Sequence, residues 1–490
     1  MSLGSACWWT LIRTGVLCLC AGPICVCLER WLRQVPDVWR PCALGVLLAP
    51  FLFPELLVGY TYRGPALTST DVAEWLCSGL LLFRIVPLGV VTLIASPPGL
   101  ASASAFHCRW LLAYSRGFSL IELGRLLLCL WHGTIRRVLP ALGLMGLVAF
   151  QEFELAALLQ TASWTDWFIA AQRVGLDRNE MLAQSMWPVM MQLPLVVAIV
   201  NWSVRPHDFH VETNPETGSS RKNNSLALTY LGLALIGGCL IPAVFLASNL
   251  LGGLRLMIGQ RSQLLGLFQE ITIAVAVSLC AGLATWSITE RFLISQRGSQ
   301  LIRISLQAML VPGLAGSLLL SLATARLFQQ TWLQPFYDTP IPWVVAVTVW
   351  LLPRAVLVRL WLEATQPGEG LHLAKLLTTP VRSPDRASTE THREGDDQFS
   401  KQSRLAGRLL FRLRDQPRLL AIGLLCYWAY LDLSTAYLLA PSGMPSGLVR
   451  LYNFMHFGRS AALSAEAFAF FGVPLGIICL TIVILRILRR

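Results

Sequence analysis

Charge is the scarcest thing in this sequence. Only 13% of its 490 residues are Asp, Glu, Lys or Arg, and 55% are hydrophobic. A soluble domain carries about a quarter charged residues, so a water-exposed globular coat is excluded. The nucleotide-cradling run G-x-x-x-x-G-K-[ST] is missing, and the chain has no loop of its own to hold nucleotide phosphates. H-E-x-x-H, a nucleophile elbow and clustered Cys/His sets are missing as well, which removes the common routes to hydrolytic or zinc chemistry. Four cysteines crowd LCLCAGPICVCL (Leu17–Leu28) without zinc-type spacing, and there they read as small hydrophobes in an apolar helix. Met1–Ala6 lacks a basic n-region, so the first apolar run reads as a retained helix and not a cleaved signal.

What is present is a series of nearly continuous apolar windows of about 20 residues, the length that crosses a bilayer as a helix. The fold class is therefore an all-α polytopic membrane protein. Spans are expected near 7–28, 41–60, 75–96, 138–160, 186–203, 225–248, 267–290, 304–325, 341–362, 417–440 and 463–487, eleven in all. Trp8, Trp9, Trp187, Trp202 and Trp343 stand near proposed ends, as interfacial anchors. The net charge of +12 invites a nucleic-acid reading, but the basic residues fall mainly in loops and serve topology. One alternate set of loops holds about 26 Lys and Arg and the other about 8. The richer set belongs in the cytoplasm, which puts the N-terminus outside and the C-terminus inside.

The long loop 363–416 contains TTPVRSPDRASTETHREGDDQFSKQS, too polar to bury a core, and is read as a disordered insertion near 380–403. Residues 204–224 have the same character and divide the chain. The organisation expected is a first half over 1–203 with five spans, a linker over 204–224, and a second half over 225–490 with six.

Carboxylates interrupt this apolar pattern. LVAFQEFELAALLQ (Leu147–Gln160) carries Glu152 and Glu154 inside a proposed span. Glu154 lies 14 positions after Pro140, and Asp432 lies 15 after Pro417 in the second half. Arg136 and Arg137 precede the first proline, and Arg412 and Arg414 the second. An acid at equivalent depth in each half faces a bundle interior or a water-filled cavity, because lipid does not tolerate it. On a continuous helix Glu152 would point about 200° away from Glu154.

These residues resemble a known family. Asp432-Leu-Ser-Thr-Ala-Tyr-Leu-Leu-Ala-Pro441, followed by Gly447-Leu-Val-Arg-Leu-Tyr-Asn453, is similar to the permease subunits of iron(III)- and thiamine-type ABC importers. There a segment E-L-x-A-T-L-L-L-x-P and a phrase T-L-S-V-R-I-Y-N follow a cytoplasmic coupling loop. Trp131-His-Gly-Thr-Ile-Arg-Arg-Val-Leu-Pro140 fits the end of such a loop. Upstream, Ile121-Glu-Leu-Gly124 stands in place of E-A-A and Leu127 in place of the usual Gly. The family usually shows twelve spans, and the first half here lacks its leading helix.

The resemblance implies a type I ABC importer permease of two pseudo-repeated halves in a bacterial inner membrane. It implies a translocation pathway or gate lined by Glu154, Asp432, Ser434, Thr435 and Glu152, carrying ferric iron or a similar small cation. ATPase-coupling loops would use Trp131, Arg136, Arg137, Pro140, Arg412, Arg414 and Pro417. The partners implied are two ABC ATPase subunits, an extracytoplasmic substrate-binding protein and the lipid bilayer, with no nucleic acid. The chain itself would be no enzyme and bind no cofactor or metal, with ATP and Mg on the partner subunits. A secondary, ion-coupled transporter would also combine repeats with intramembrane acids, and a non-transporting scaffold derived from a permease is the third class.

Overall fold

In lipid a backbone N–H or C=O finds no water, so an apolar run satisfies its polar groups by coiling into a helix. A computed structural model of the chain describes residues 2–36, 38–95, 136–175, 178–203, 221–259, 261–295, 311–313, 316–365, 407, 411–444 and 446–487. Among the described residues all regular structure is helical. Trp131, the upstream coupling positions, most of the 204–224 linker and the 380–403 insertion lie outside them.

The first part of the chain forms α1 (Leu3–Gln34), α2 (Arg40–Leu52), α3 (Glu55–Ala66) and α4 (Thr70–Ala95). After the long loop come α5 (Arg136–Phe150), α6 (Glu154–Leu159), α7 (Trp164–Val174) and α8 (Arg178–Ser203). The second part holds α9 (Arg221–Leu235), a π-turn over Ile236–Leu240, α10 (Ile241–Gly259) and α11 (Arg261–Ser295). It continues with α12 (Ser317–Phe328), α13 (Ile341–Thr365), α14 (Gln416–Tyr430), α15 (Leu433–Leu439), α16 (Gly447–His456) and α17 (Ser460–Ile487).

Among the described residues, five helical stretches are long and apolar enough to cross a membrane: Leu3–Gln34, Thr70–Ile94, Ser225–Gly259, Leu264–Arg291 and Ile341–Arg359. Seven qualify if α2 with α3, bent by 63°, and α14 with α15, bent by 54°, each count as one. That is fewer than eleven. The other expected spans fall on α5 with α6, α8, α12 and α17, which are interrupted, short in their described apolar part, or carry polar residues. The result is a helical, membrane-embedded protein.

Two stretches share one plan. A 15-residue helix (α5, α14) breaks and is followed by a short helix of 6 or 7 residues (α6, α15). Next comes a helix of 11 or 10 residues (α7, α16), then a long one of 26 or 28 (α8, α17). Packing repeats too. α1 packs on α4 and α5 as α11 packs on α13 and α14, while α3 lies on α6 as α12 lies on α15.

The core follows this plan. One apolar cluster lies among α1, α4 and α5, around Cys25, Ile85 and Met145, and another among α11, α13 and α14, around Ala281, Val347 and Leu425. Two further clusters join the parts. In one, Leu56 and Leu158 meet Tyr430, Leu433 and Phe470; in the other, Phe150 and Trp164 meet Leu318 and Leu322. The α1 cysteines are free thiols, and Cys25 Sγ donates to the Val86 carbonyl at 3.5 Å. Trp8, Trp9 and Trp187 are exposed as expected of anchors. Trp343 is buried inside the protein, a correction to its reading as an anchor.

Candidate polar centre at the helix breaks

The breaks have local causes. Pro54 has no N–H and disfavours helix in the residue before it, so α2 stops at Leu52 and α3 starts anew at Glu55. Between α5 and α6 there is no proline. There Glu152 turns its own side chain to the backbone, and its Oε1 accepts the Leu155 N–H at 2.7 Å. Before α15, the Thr435 hydroxyl donates to the Asp432 carboxylate. Before α12 the backbone turns at Gly316 with φ +98°, and a Cβ there would come 3.1 Å from the Gln151 side chain. Only glycine suits both the conformation and the space.

A helix broken in an apolar interior leaves carbonyls without donor partners, and each is costly unless another group donates to it. The partners are present. The Tyr427 hydroxyl of α14 donates to the Leu52 carbonyl at 2.8 Å, and Arg84 of α4 to the Phe53 carbonyl at 3.3 Å. Trp164 Nε1 donates to the Phe150 carbonyl at 2.7 Å, and the Thr165 hydroxyl to the Glu152 carbonyl at 2.7 Å. Gln151 Nε2 donates to Gln192 Oε1 of α8 at 2.7 Å.

Charged side chains gather at these breaks. Arg84 forms an ion pair with Glu55. Glu152 lies close to the Glu55 carboxyl. Glu154 interacts electrostatically with Glu55, Glu152, Asp432 and Arg84. Asp432 interacts with Arg354 of α13 and with Glu55. Four carboxyls thus face two guanidiniums in one centre built from both parts of the chain.

Beside them runs a ladder of rings. The Arg84 guanidinium lies over Phe51 at 5.8 Å, Phe51 meets Trp428 edge-on at 5.5 Å, and Arg354 lies between Trp428 at 5.8 Å and Trp350 at 3.5 Å. Arg84 and Arg354 stand at matching places, mid-way along α4 and α13, each within three residues of a helix proline, Pro87 or Pro353. Cation–π contacts of this kind hold a guanidinium where carboxylates are not all within bonding reach.

Glu154 and Asp432, the acids matched by the repeat, interact with each other, and Glu152 joins them. Asp432, Ser434 and Thr435 are buried, and Thr435 holds Asp432 in place. Two details differ from expectation. Glu152 and Glu154 are not on one continuous helix, so the 200° separation does not apply and both acids face the same centre. In role, the partner of Asp432 is Glu152, since each accepts a hydrogen bond from a group three residues on.

The coupling residues sit away from this centre, at the starts of α5 and α14. Arg136, Arg137 and Pro140 lie in the first five residues of α5. Pro417 is second in α14, where its missing N–H costs nothing. Arg412 lies in the π-turn Phe411–Asp415 that leads into α14, and Arg414 in the same turn is exposed. Beside them Arg418 pairs with Glu290 of α11 at 3.3 Å.

Glu55, Arg84 and Arg354 were not singled out from the sequence. The signal was available, because after both loop sets are counted five basic residues remain inside apolar segments: Arg13, Arg84, Arg354, Arg359 and Arg418. Such residues point inward by default. Arg13 is one of them, buried in α1 and paired with Glu74 of α4 at 3.1 Å. Among the described residues no group of three or more His, Cys, Asp or Glu is arranged to hold a metal ion. Comparison with known families, curated proteins and solved structures finds no match to this chain.

Proposed function

We propose that this chain is the membrane permease subunit of an ATP-driven ABC importer, with eleven spans in two pseudo-repeated halves of the type I kind. One observation carries the reading. The plan of 15-residue helix, break, short helix, shorter amphipathic helix and long helix occurs twice, and both breaks bring a buried acid to one shared centre. Broken helices at membrane depth are tolerated where they line a passage or are covered by protein.

In this reading the acids at the breaks form the gate of the passage, closed by the Arg84–Glu55 pair and by the packing of Leu56 and Leu158 against Leu433. The excess of carboxyls over guanidiniums favours a small cationic solute, ferric iron among them. The basic starts of α5 and α14 would meet the two ATPase subunits, and a substrate-binding protein would deliver cargo on the opposite face of a bacterial inner membrane. The decisive experiment reconstitutes the chain in vesicles with and without an associated ATPase. ATP-dependent uptake supports the permease, and full uptake without ATP removes it.

A second reading has one observation behind it. The Glu55 and Glu152 carboxyls lie side by side at the helix breaks, and intramembrane acids of this kind also suit a proton-coupled carrier. Uptake driven by a pH gradient alone would select that reading.

A further inference from the structure

Arg450 belongs to the Gly447–Asn453 stretch, yet it takes no part in the polar centre. Its Nη1 donates to Glu270 Oε1 of α11 at 3.1 Å, and its Nη2 donates to Glu466 Oε1 of α17 at 2.6 Å. Both carboxyl side chains are only 4% exposed. The other oxygen of each, Oε2, is buried and has no hydrogen-bond partner among the described residues.

One guanidinium faces two carboxyls. With all three ionised, a net negative charge and two bare oxygens would sit out of water, which is far costlier than taking up a proton. Other charges on the neighbouring helices are engaged or turned away. Arg255 of α10, His456 of α16 and Arg459 are exposed. Arg63 of α3 donates to the Met455 carbonyl, and Arg354 of α13 stacks on Trp350. Arg418 of α14 pairs with Glu290, about 30 Å along α11 from Glu270. Asp432 is held by Thr435, and α15 carries no charged side chain.

We propose that Glu270, Arg450 and Glu466 bind one exchangeable proton, held on Oε2 of one carboxyl, and that its loss loosens α16 from α11 and α17. The protonated cluster is one ion pair beside one neutral acid, so no net charge is left out of water. Because the open state gives up the proton, closure is favoured at low pH and weakens as pH rises.

The test is hydrogen exchange of residues 447–456 in the full-length protein in lipid nanodiscs, from about pH 5 to about pH 9. Protection in the wild type should fall by about tenfold per pH unit across the window in which the proton leaves. Glu270→Gln and Glu466→Gln each mimic the neutral acid, so each should keep the low-pH protection and lose the slope. The double replacement leaves Arg450 without a counter-charge and should lose protection at every pH. The infrared band of a protonated carboxyl should be weaker in each single variant than in the wild type. A flat wild-type profile overturns the proposal without any variant, as do single variants that lose protection at low pH. None of these readouts depends on transport.

Discussion

Glu152 and Glu154, two positions apart, hold different posts. Glu152 accepts the Leu155 N–H and fixes the start of α6. Glu152→Ala should therefore lower stability by about 1 kcal/mol, the usual value of a lost helix cap, in thermal or denaturant unfolding. Glu154 makes no such bond, and Glu154→Leu should leave insertion intact while reducing ATP-driven uptake. Glu154→Gln separates the causes: a charge requirement is lost in both variants, a hydrogen-bond requirement only in the leucine one. At the loop surface the Ser442 backbone N–H, then its hydroxyl, hold the Asp338 carboxyl below its ordinary value. A depressed acid contributes stability above its unfolded value and loses it as pH falls through the folded one. The 329–340 loop should thus loosen from Ser442 in acid. Asp338→Asn should remove that acid dependence, read by exchange at the Ser442 amide. Glu152 and Glu154 were legible as costly residues in an apolar run. Their individual roles were not, because capping depends on where a helix stops.

The helices themselves were legible because apolar composition and length dictate them; the breaks were not. Pro54 marks one plainly, but the stop after Phe150 follows no proline or glycine. The breaks depend on donors from afar, and two of these are testable. Trp164→Phe leaves the Phe150 carbonyl buried and unpaired, and should cost about 1–3 kcal/mol in unfolding measurements. Tyr427→Phe removes the donor to Leu52, the bond that ties α14 to the break between α2 and α3. It should cost a similar amount, about 1–3 kcal/mol. If the breaks form the gate, it should also raise uptake that occurs without ATP. Trp164 comes 14 residues after its acceptor, and Tyr427 lies 375 from Leu52. Neither separation carries a periodic signal.

For the whole molecule, the repeat of α5–α8 in α14–α17 was partly visible as a recurring Arg-Pro-acid spacing. Assigning its acids needed the three-dimensional roles. Two basic helix starts predict two ATPase docking places. Purification in mild detergent should recover about two ATPase copies per chain, the stoichiometry of one partner for each half. Deleting Val381–Gln398, which is polar and has no apolar face, should leave expression and insertion largely unchanged.

The ion pair between buried Arg13 and half-buried Glu74 bears on how the chain is made. The two residues are 61 apart in sequence, so at 5–20 residues per second a ribosome adds Glu74 roughly 3 to 12 s after Arg13. During that interval α1 reaches the membrane with a cation and no counter-charge. The translocon must hold this helix at its edge, or let Arg13 reach the headgroups, until α4 arrives. α1 is then made before α4 but settles only with it.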